Sequence, residues 1–333
     1  MQYRRLGKSG LQLSALSFGS WVTFGKQVEA DAADKLMATA YDAGVNFFDN
    51  AEGYERGRSE ELMGEALSRL GWRRDSYCVS SKVWWGTVRE GDPRPCQTGL
   101  SRKHVVECCE AAIKRMRCDY LDLYFCHRYD PETPVGETVL AMDNLVRQGK
   151  VLYWGTSNWS AAEIIEAHTF ATQNYLIPPT MDQPQYNMLV RDTFEEEFKG
   201  LYDPRHIGLG TTIFSPLAAG LLTGKYNDGV PKGSRFDLEG YEWLKDMKLS
   251  DGGTQLAKVK ALVPIAGDLG ITLPRLAIAW VLSNPNVSTA ILGASRPEQL
   301  VENLKAIGDV EKITDEVKGR IDGVLARAAV GSE

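Results

Sequence analysis

A (β/α)8 TIM barrel with an N-terminal β-hairpin and two extra helices is the fold class expected from this chain. Short apolar runs and helical patterns alternate eight times along its 333 residues, which favours a closed parallel sheet over an open one. Polar side chains close one run after another, as they do where a barrel carries a site on its rim. No segment resembles an interdomain linker, so one domain over 1–333 is expected.

Residues 2–14 contain two short strand-like runs around G-K-S-G, a hairpin signal with its turn after Gly7. Barrel strands are expected near 15–18, 45–49, 77–82, 120–126, 151–156, 180–183, 208–213 and 288–292. Helices are expected near 31–44, 58–70, 101–116, 137–148, 160–173, 192–200, 274–284 and 297–307. Ser101 precedes one helix, Ser160 with Glu163 forms a capping box, and Pro274 suits a first helical turn. Gly44, Gly71 and Gly149 stand where helices stop. The apolar stretch Leu276–Leu282 is too short to span a membrane and reads as a buried helix face. Outside the repeat lie extra helices near 255–269 and 313–328, and a Gly-, Pro- and Asp-bearing stretch over 216–254 with little periodicity. Loops of that length are usually functional.

A formal charge of −6 and the lack of a basic stripe argue against nucleic-acid binding. The start, M-Q-Y-R-R-L-G-K-S-G, lacks the apolar core of a signal peptide, and no membrane insertion is expected. Six cysteines without C-x-x-C spacing read as reduced thiols of a cytoplasmic protein. No metal is expected. Cys126 and His127 are adjacent strand residues pointing to opposite faces.

The chemistry lies at the run ends. Asp49 closes G-V-N-F-F-D, and Tyr54 follows in a Gly-containing loop. Lys82 closes Y-C-V-S-S-K, and His127 closes Y-L-D-L-Y-F-C-H. In a barrel the C-terminal strand ends share one face, so an acid, a phenol, an amine and an imidazole would meet there. The later ends are polar as well: Ser157-Asn158, Gln183, Ser215 and Gly293-Ala-Ser295. A two-carboxylate glycosidase using Asp49 with Glu52, or Asp130 with Glu132, is disfavoured because each pair is too close in sequence to flank a scissile bond. Usual nucleotide loops are missing: Gly208-Leu-Gly210 lacks a third glycine, and the Gly220–Lys225 stretch has the wrong spacing.

These residues make the chain resemble the aldo-keto reductases. F-D-N-A-E-G-Y (48–54) is similar to the family's Asp-to-Tyr segment, and Lys82 and His127 complete its tetrad in order and spacing. L-G-K-S-G-L (6–11), S-W-V-T-F-G (20–25), G-L-S-R-K-H (99–104), Y-W-G-T-S (153–157), S-P-L-A-A-G (215–220), L-A-I-A-W (276–280) and L-G-A-S (292–295) look most like the branch that contains the voltage-gated potassium-channel β subunits and soluble reductases. Two departures stand out. Animal channel subunits carry Asn where this chain has His127, and the segment 86–99 is longer here.

The resemblance implies NADPH-dependent reduction of aldehydes and ketones. No side chain supplies a hydride, so a nicotinamide (NADPH/NADP+) would carry it. Tyr54 would be the general acid, with Lys82 lowering its pKa, Asp49 holding Lys82, and His127 orienting the carbonyl. By the same resemblance Ser157, Asn158 and Gln183 would bind the carboxamide, and Phe214 would stack on the ring. Ser215, Leu217, Ala219, Lys225 and Arg235, in the long cofactor loop, would embrace the pyrophosphate. Gly293, Ser295, Gln299, Glu302 and Asn303 would hold the adenosine end, and Trp21, Gln27 and Asp49 would also touch the cofactor. Ser295 and Arg296 stand where a helix N-terminus attracts phosphate and could bind a 2′-phosphate. The substrate pocket would be lined by Trp21, His127, Tyr129, Trp159 and one of Trp84 and Trp85, of which the resemblance favours Trp85. The implied partners are a small carbonyl substrate and further copies of the chain, as a tetramer. The alternative role is a nucleotide-sensing regulatory β subunit of a potassium channel.

Overall fold

A computed structural model describes residues 1–25, 27–28, 30–88, 91–250 and 253–330. The chain forms two compact units. The first comprises Met1–Gln185, Asp192–Phe214 and Asn286–Val301. It opens with β1 (Tyr3–Arg5) and β2 (Gln12–Ser14), an antiparallel hairpin pairing Tyr3 with Ser14. Its turn needs Gly7, whose φ is +56° and whose added Cβ would lie 2.3 Å from Gly208 O.

The barrel strands are β3 (Leu16–Gly19), β4 (Phe47–Asp49), β5 (Cys78–Val83), β6 (Leu121–Cys126), β7 (Val151–Thr156), β8 (Met181–Asp182), β9 (Gly210–Ile213) and β10 (Thr289–Leu292). They close in the order β10-β3-β4-β5-β6-β7-β8-β9, all parallel. Each expected strand is present, with its ends within two residues of the expected ones. Both faces of these strands are covered, so they read as apolar runs rather than strict alternation. Leu6 and Leu13 of the hairpin join Phe47, Cys78, Leu123, Met181 and Ile291 in one buried cluster.

Around the strands run α1 (Ala30–Asp42), α2 (Arg58–Leu70), α3 (Arg102–Arg115), α4 (Val135–Arg147) and α5 (Ala161–Gln173). The side chain of Ser101 accepts from His104 N to start α3, and Ser160 with Glu163 makes the complete capping box of α5. Gly71 ends α2 in the left-handed conformation. The expected helix over 192–200 is instead a π-turn over Thr193–Glu197 followed by a 3-10 turn over Lys199–Leu201. Phe198 N bonds Thr193 O, one residue farther back than in an α-helix.

The second unit comprises Tyr186–Arg191, Ser215–Pro285 and Glu302–Glu333. It holds α6 (Glu242–Leu249), α7 (Thr254–Asp268), α8 (Leu273–Leu282) and α10 (Asp315–Val330), whereas α9 (Pro297–Leu304) begins in the first unit. The extra helices α7 and α10 pack on each other. Leu276–Leu282 is buried on α8, as its apolar sequence requires. The 216–254 stretch departs from expectation: it contains α6 and 3-10 turns at Ala218–Thr223 and Arg235–Asp237. All six cysteines carry free thiols. Among the described residues no single helix is long and apolar enough to cross a membrane.

Candidate active site

Strand alternation aims the site. On β5, Ser80 and Lys82 face Asp49 at the end of β4: Ser80 Oγ donates to Asp49 Oδ1 at 2.8 Å and Lys82 Nζ to Oδ2 at 2.7 Å. Ser81 between them points the other way and donates to Glu60 of α2. Gly19, beside Asp49 in the register, leaves room there, since a Cβ would meet Ile291 Cγ2 at 2.5 Å.

Lys82 spends its three protons on Asp49, on Asn50 O at 2.7 Å and on the Tyr54 hydroxyl at 3.2 Å. Its ammonium also lies 4.8 Å from the Tyr54 ring centre. Lys82 and Asp49 are buried, while Tyr54 remains partly exposed. The His127 ring meets the Tyr54 ring edge-on at 5.8 Å, and its Nδ1 is buried with no hydrogen-bond partner among the described residues. The four residues drawn from consecutive strand ends therefore share one place in the first unit.

Electrostatics separate their roles. Burial lowers the Lys82 pKa, against the pull of Asp49. Burial, then the charges of Lys82 and Arg128, push His127 well below the usual imidazole range, so it is neutral at neutral pH. Burial of the hydroxyl, with Asp49 close by, holds the Tyr54 phenol well above its ordinary value. The expected lowering of Tyr54 by Lys82 is therefore corrected. Asp49 already balances the ammonium, and a buried phenolate is costly.

The residues assigned to the carboxamide gather on the same rim. Gln183 Nε2 donates to Asp49 Oδ1 at 3.0 Å and to Thr212 at 3.3 Å. Ser157 Oγ donates to Gln183 O, and Asn158 Nδ2 donates to Ser157 Oγ. Asn158 has a φ of +54°, sparsely populated strain of the kind that gathers at functional sites. Phe214 closes this stretch half-buried, its N–H on Pro184 O. Trp21 and Gln27 lie in the loop after β3, both half-buried. Ser295 donates through N and Oγ to Gln299 Oε1, beside exposed Gly293 and Arg296.

In the second unit Ser215, Ala218, Ala219 and Gly220 all have positive φ, and Ser215 Oγ accepts from Ala219 N. The N–H groups of Ala218 and Gly220 are likewise held inside the turn, by Ser215 O and Leu217 O. Leu217 is half-buried within this turn. Lys225 lies over the Tyr226 ring at 5.0 Å, and burial lowers the pKa of Arg235. Glu302 is engaged by Lys305 at 2.9 Å, and Asn303 is buried.

Among the expected substrate aromatics, Trp85 is exposed and lies 6.5 Å from His127, whereas the Trp84 backbone N–H is tied to Glu52. Tyr129 and Trp159 stack edge-on at 5.0 Å. In the segment 86–99, Arg89 and Glu90 lie outside the described residues.

Sequence reasoning missed the support beneath this mouth. Glu52 Oε1 accepts the N–H groups of Trp84 (2.7 Å) and Gly86 (3.0 Å), and its Oε2 lies 3.4 Å from His104 Nε2. His104 Nδ1 donates to Gly99 O at 2.8 Å, so both ends of the 86–99 segment are tied to one buried pair. The signal was present: Glu52 sits inside the Asp49–Tyr54 segment, yet as a carboxylate it is committed here and is no glycosidase partner for Asp49.

Burial alone would raise Glu52 and lower His104, but each outweighs that on the other: Glu52 is held below, and His104 above, its ordinary value. The His104 contribution is therefore complete below its unfolded pKa of about 6.5 and is lost as pH rises through the higher folded value. The Glu52 contribution is complete above about 4.3 and is lost as pH falls through its lower folded value. His104→Gln should cost stability at pH 6, and the gap in urea midpoint from the parent should narrow towards pH 9. A gap that does not change with pH would refute the charged pair.

Known proteins place this site in context. The aldo/keto reductase family profile matches residues 15–326. A probable voltage-gated potassium channel subunit beta of Arabidopsis thaliana is 49% identical over 326 residues, which is 98% of this chain and 97% of the relative. Its namesake from Oryza sativa subsp. japonica is 49% identical over the same length, with the same shares covered. Carbonyl reduction with nicotinamide cofactors is the general chemistry of the matched family. With eight closed parallel strands and a match reaching nearly end to end, the chain belongs to the aldo/keto reductase family and is an oxidoreductase.

Proposed function

We propose that the protein reduces aldehydes and ketones to alcohols with NADPH, with Tyr54 as the general acid. The observation that carries this reading is the contact of 3.2 Å between Lys82 Nζ and the Tyr54 hydroxyl, deep beside Asp49. When bound, the nicotinamide supplies the hydride that the side chains cannot. Ser157, Asn158, Gln183 and Phe214 would hold the nicotinamide end, and their linkage to Asp49 fits a polar amide there. Ser215, Leu217 and Ala219 would embrace the pyrophosphate, with the cations Lys225 and Arg235 following on the same loop. Gly293, Ser295, Gln299, Glu302 and Asn303 would hold the adenosine end.

The proton moves from Tyr54 to the carbonyl oxygen as that oxygen becomes an alkoxide. The raised pKa keeps the phenol protonated at neutral pH, ready to donate to that oxygen. Neutral His127 offers a hydrogen bond to the same oxygen and fixes the carbonyl without competing as the acid. Lys82 holds the Tyr54 hydroxyl in place by its contact, and Asp49 aims Lys82. Trp21, Trp85, Tyr129 and Trp159 would surround an aromatic or apolar substrate body.

Exposed Arg296, just before α9, carries the preference for NADPH over NADH. Arg296→Ala is expected to weaken NADPH binding about tenfold or more, the scale of a charge-assisted contact, and to leave NADH binding unchanged. Fluorescence titration with both nucleotides measures this; equal losses for the two would overturn the assignment. Activity itself is tested by nicotinamide absorbance with aldehydes, ketones and quinones.

The names of the relatives, probable voltage-gated potassium channel subunits beta, favour a second reading as a channel subunit; the nucleotide-sensing role and the tetramer are what the resemblance adds to it. Co-purification with a channel, and a tetrameric mass in solution, would support it. Steady aldehyde turnover by the isolated protein would support the enzyme.

A further inference from the structure

Arg128 follows His127 off the end of β6, and its guanidinium is neither surface decoration nor part of a structural ion pair. It is half-buried. Nη1 donates to His127 O at 2.6 Å, which turns the group back over the site. Its centre lies 6.0 Å from the ring of exposed Trp85, the ring that also meets His127 at 6.5 Å. Tyr54 is among its electrostatic neighbours. The cation thus borders the face on which Tyr54 and His127 would meet a carbonyl.

Its charge balance is incomplete. Arg74 and Arg115, half-buried elsewhere in the same unit, each have a carboxylate oxygen at 2.6 Å, from Asp122 and Glu60. Among the described residues no carboxylate forms an ion pair with Arg128. Asp49, the nearest acid of the tetrad, is bound to Lys82. Asp182 is an electrostatic neighbour of Arg128 but forms no ion pair with it, and burial raises its pKa to about 7. A half-buried guanidinium that meets a backbone carbonyl but no carboxylate is costly in the free protein and is suited to a planar or tetrahedral oxyanion.

We propose that Arg128 is a specificity-determining residue that holds an oxyanion of the substrate, so that carbonyls bearing a carboxylate or phosphate are favoured over neutral ones. This rests on the carbonyl-reduction reading. Trp85, 6.0 Å from the guanidinium and 6.5 Å from His127, offers a flat face for an aromatic or apolar body between the anion and the reacting carbon.

The test compares kcat/KM for two matched pairs: 4-carboxybenzaldehyde against methyl 4-formylbenzoate, and glycolaldehyde phosphate against glycolaldehyde. The parent should prefer the anionic member of at least one pair, and the pair that responds tells carboxylate from phosphate. Arg128→Met should lower that anionic-to-neutral ratio about 10–100-fold, chiefly through KM for the anion. Arg128→Lys, which keeps the charge but not the fork, should restore part of it. A parent with no preference for either anion overturns the proposal. So does an Arg128→Met enzyme in which both members of a pair fall equally, because that pattern belongs to a structural residue. If the parent reduces none of the four aldehydes with NADPH or NADH, the carbonyl-reduction reading falls instead.

Discussion

Tyr54→Phe is expected to cut carbonyl reduction by about 10²–10⁴-fold, the usual worth of a positioned general acid, while nucleotide affinity survives. The substitution removes one oxygen and little else. The ring keeps its contacts with the Lys82 ammonium at 4.8 Å and with His127 at 5.8 Å. Lys82 retains Asp49 Oδ2 and Asn50 O as acceptors, so no cation is stranded. His127 cannot take over, because burial and two neighbouring cations keep it neutral at neutral pH. Nicotinamide absorbance measures turnover, and fluorescence titration measures nucleotide binding. Near-normal turnover in a folded variant would remove Tyr54 from the chemistry.

The second large effect concerns stability as well as rate. Lys82→Met should destabilise the protein by about 3–5 kcal/mol, because the buried Asp49 carboxylate would lose its counter-charge. Ser80 and Gln183 would still donate to that carboxylate, but neither neutralises it. Pairing Lys82→Met with Asp49→Asn should recover most of the loss, since an amide needs no cation. The double variant should remain unable to reduce carbonyls, because nothing then holds the Tyr54 hydroxyl in place. Urea unfolding of the two single variants and the double variant gives the coupling. Additive losses would show that Asp49 and Lys82 do not act as a pair.

Much of this was legible before any coordinates. The runs ending at Asp49, Lys82 and His127 have both faces covered, so they are mostly apolar, and a polar or charged residue closes each at the rim. Two helices were misread for physical reasons. Phe194 and Phe198 are both buried at a spacing of four, and this spacing does not reveal the extra residue in their π-turn. On α6 only Leu244 is buried while Trp243 and Met247 are exposed, so no apolar stripe announced a helix. The tetrad could be read as types in order. The burial that sets the Tyr54 and His127 pKa values could not, because it depends on what the fold packs around them. Glu52, Arg128 and Asp182 were visible letters whose partners come from elsewhere in the chain. His104 lies 52 residues beyond Glu52, and no periodicity links them.

The hairpin has a consequence for traffic. Leu6 and Leu13 seal the end of the strand cylinder where the strands begin, and the tight turn at Gly7 lies against Gly208 with no space for a side chain. The vessel is stoppered at its base. Whatever reaches the tyrosine has the rim as its way in and its way out.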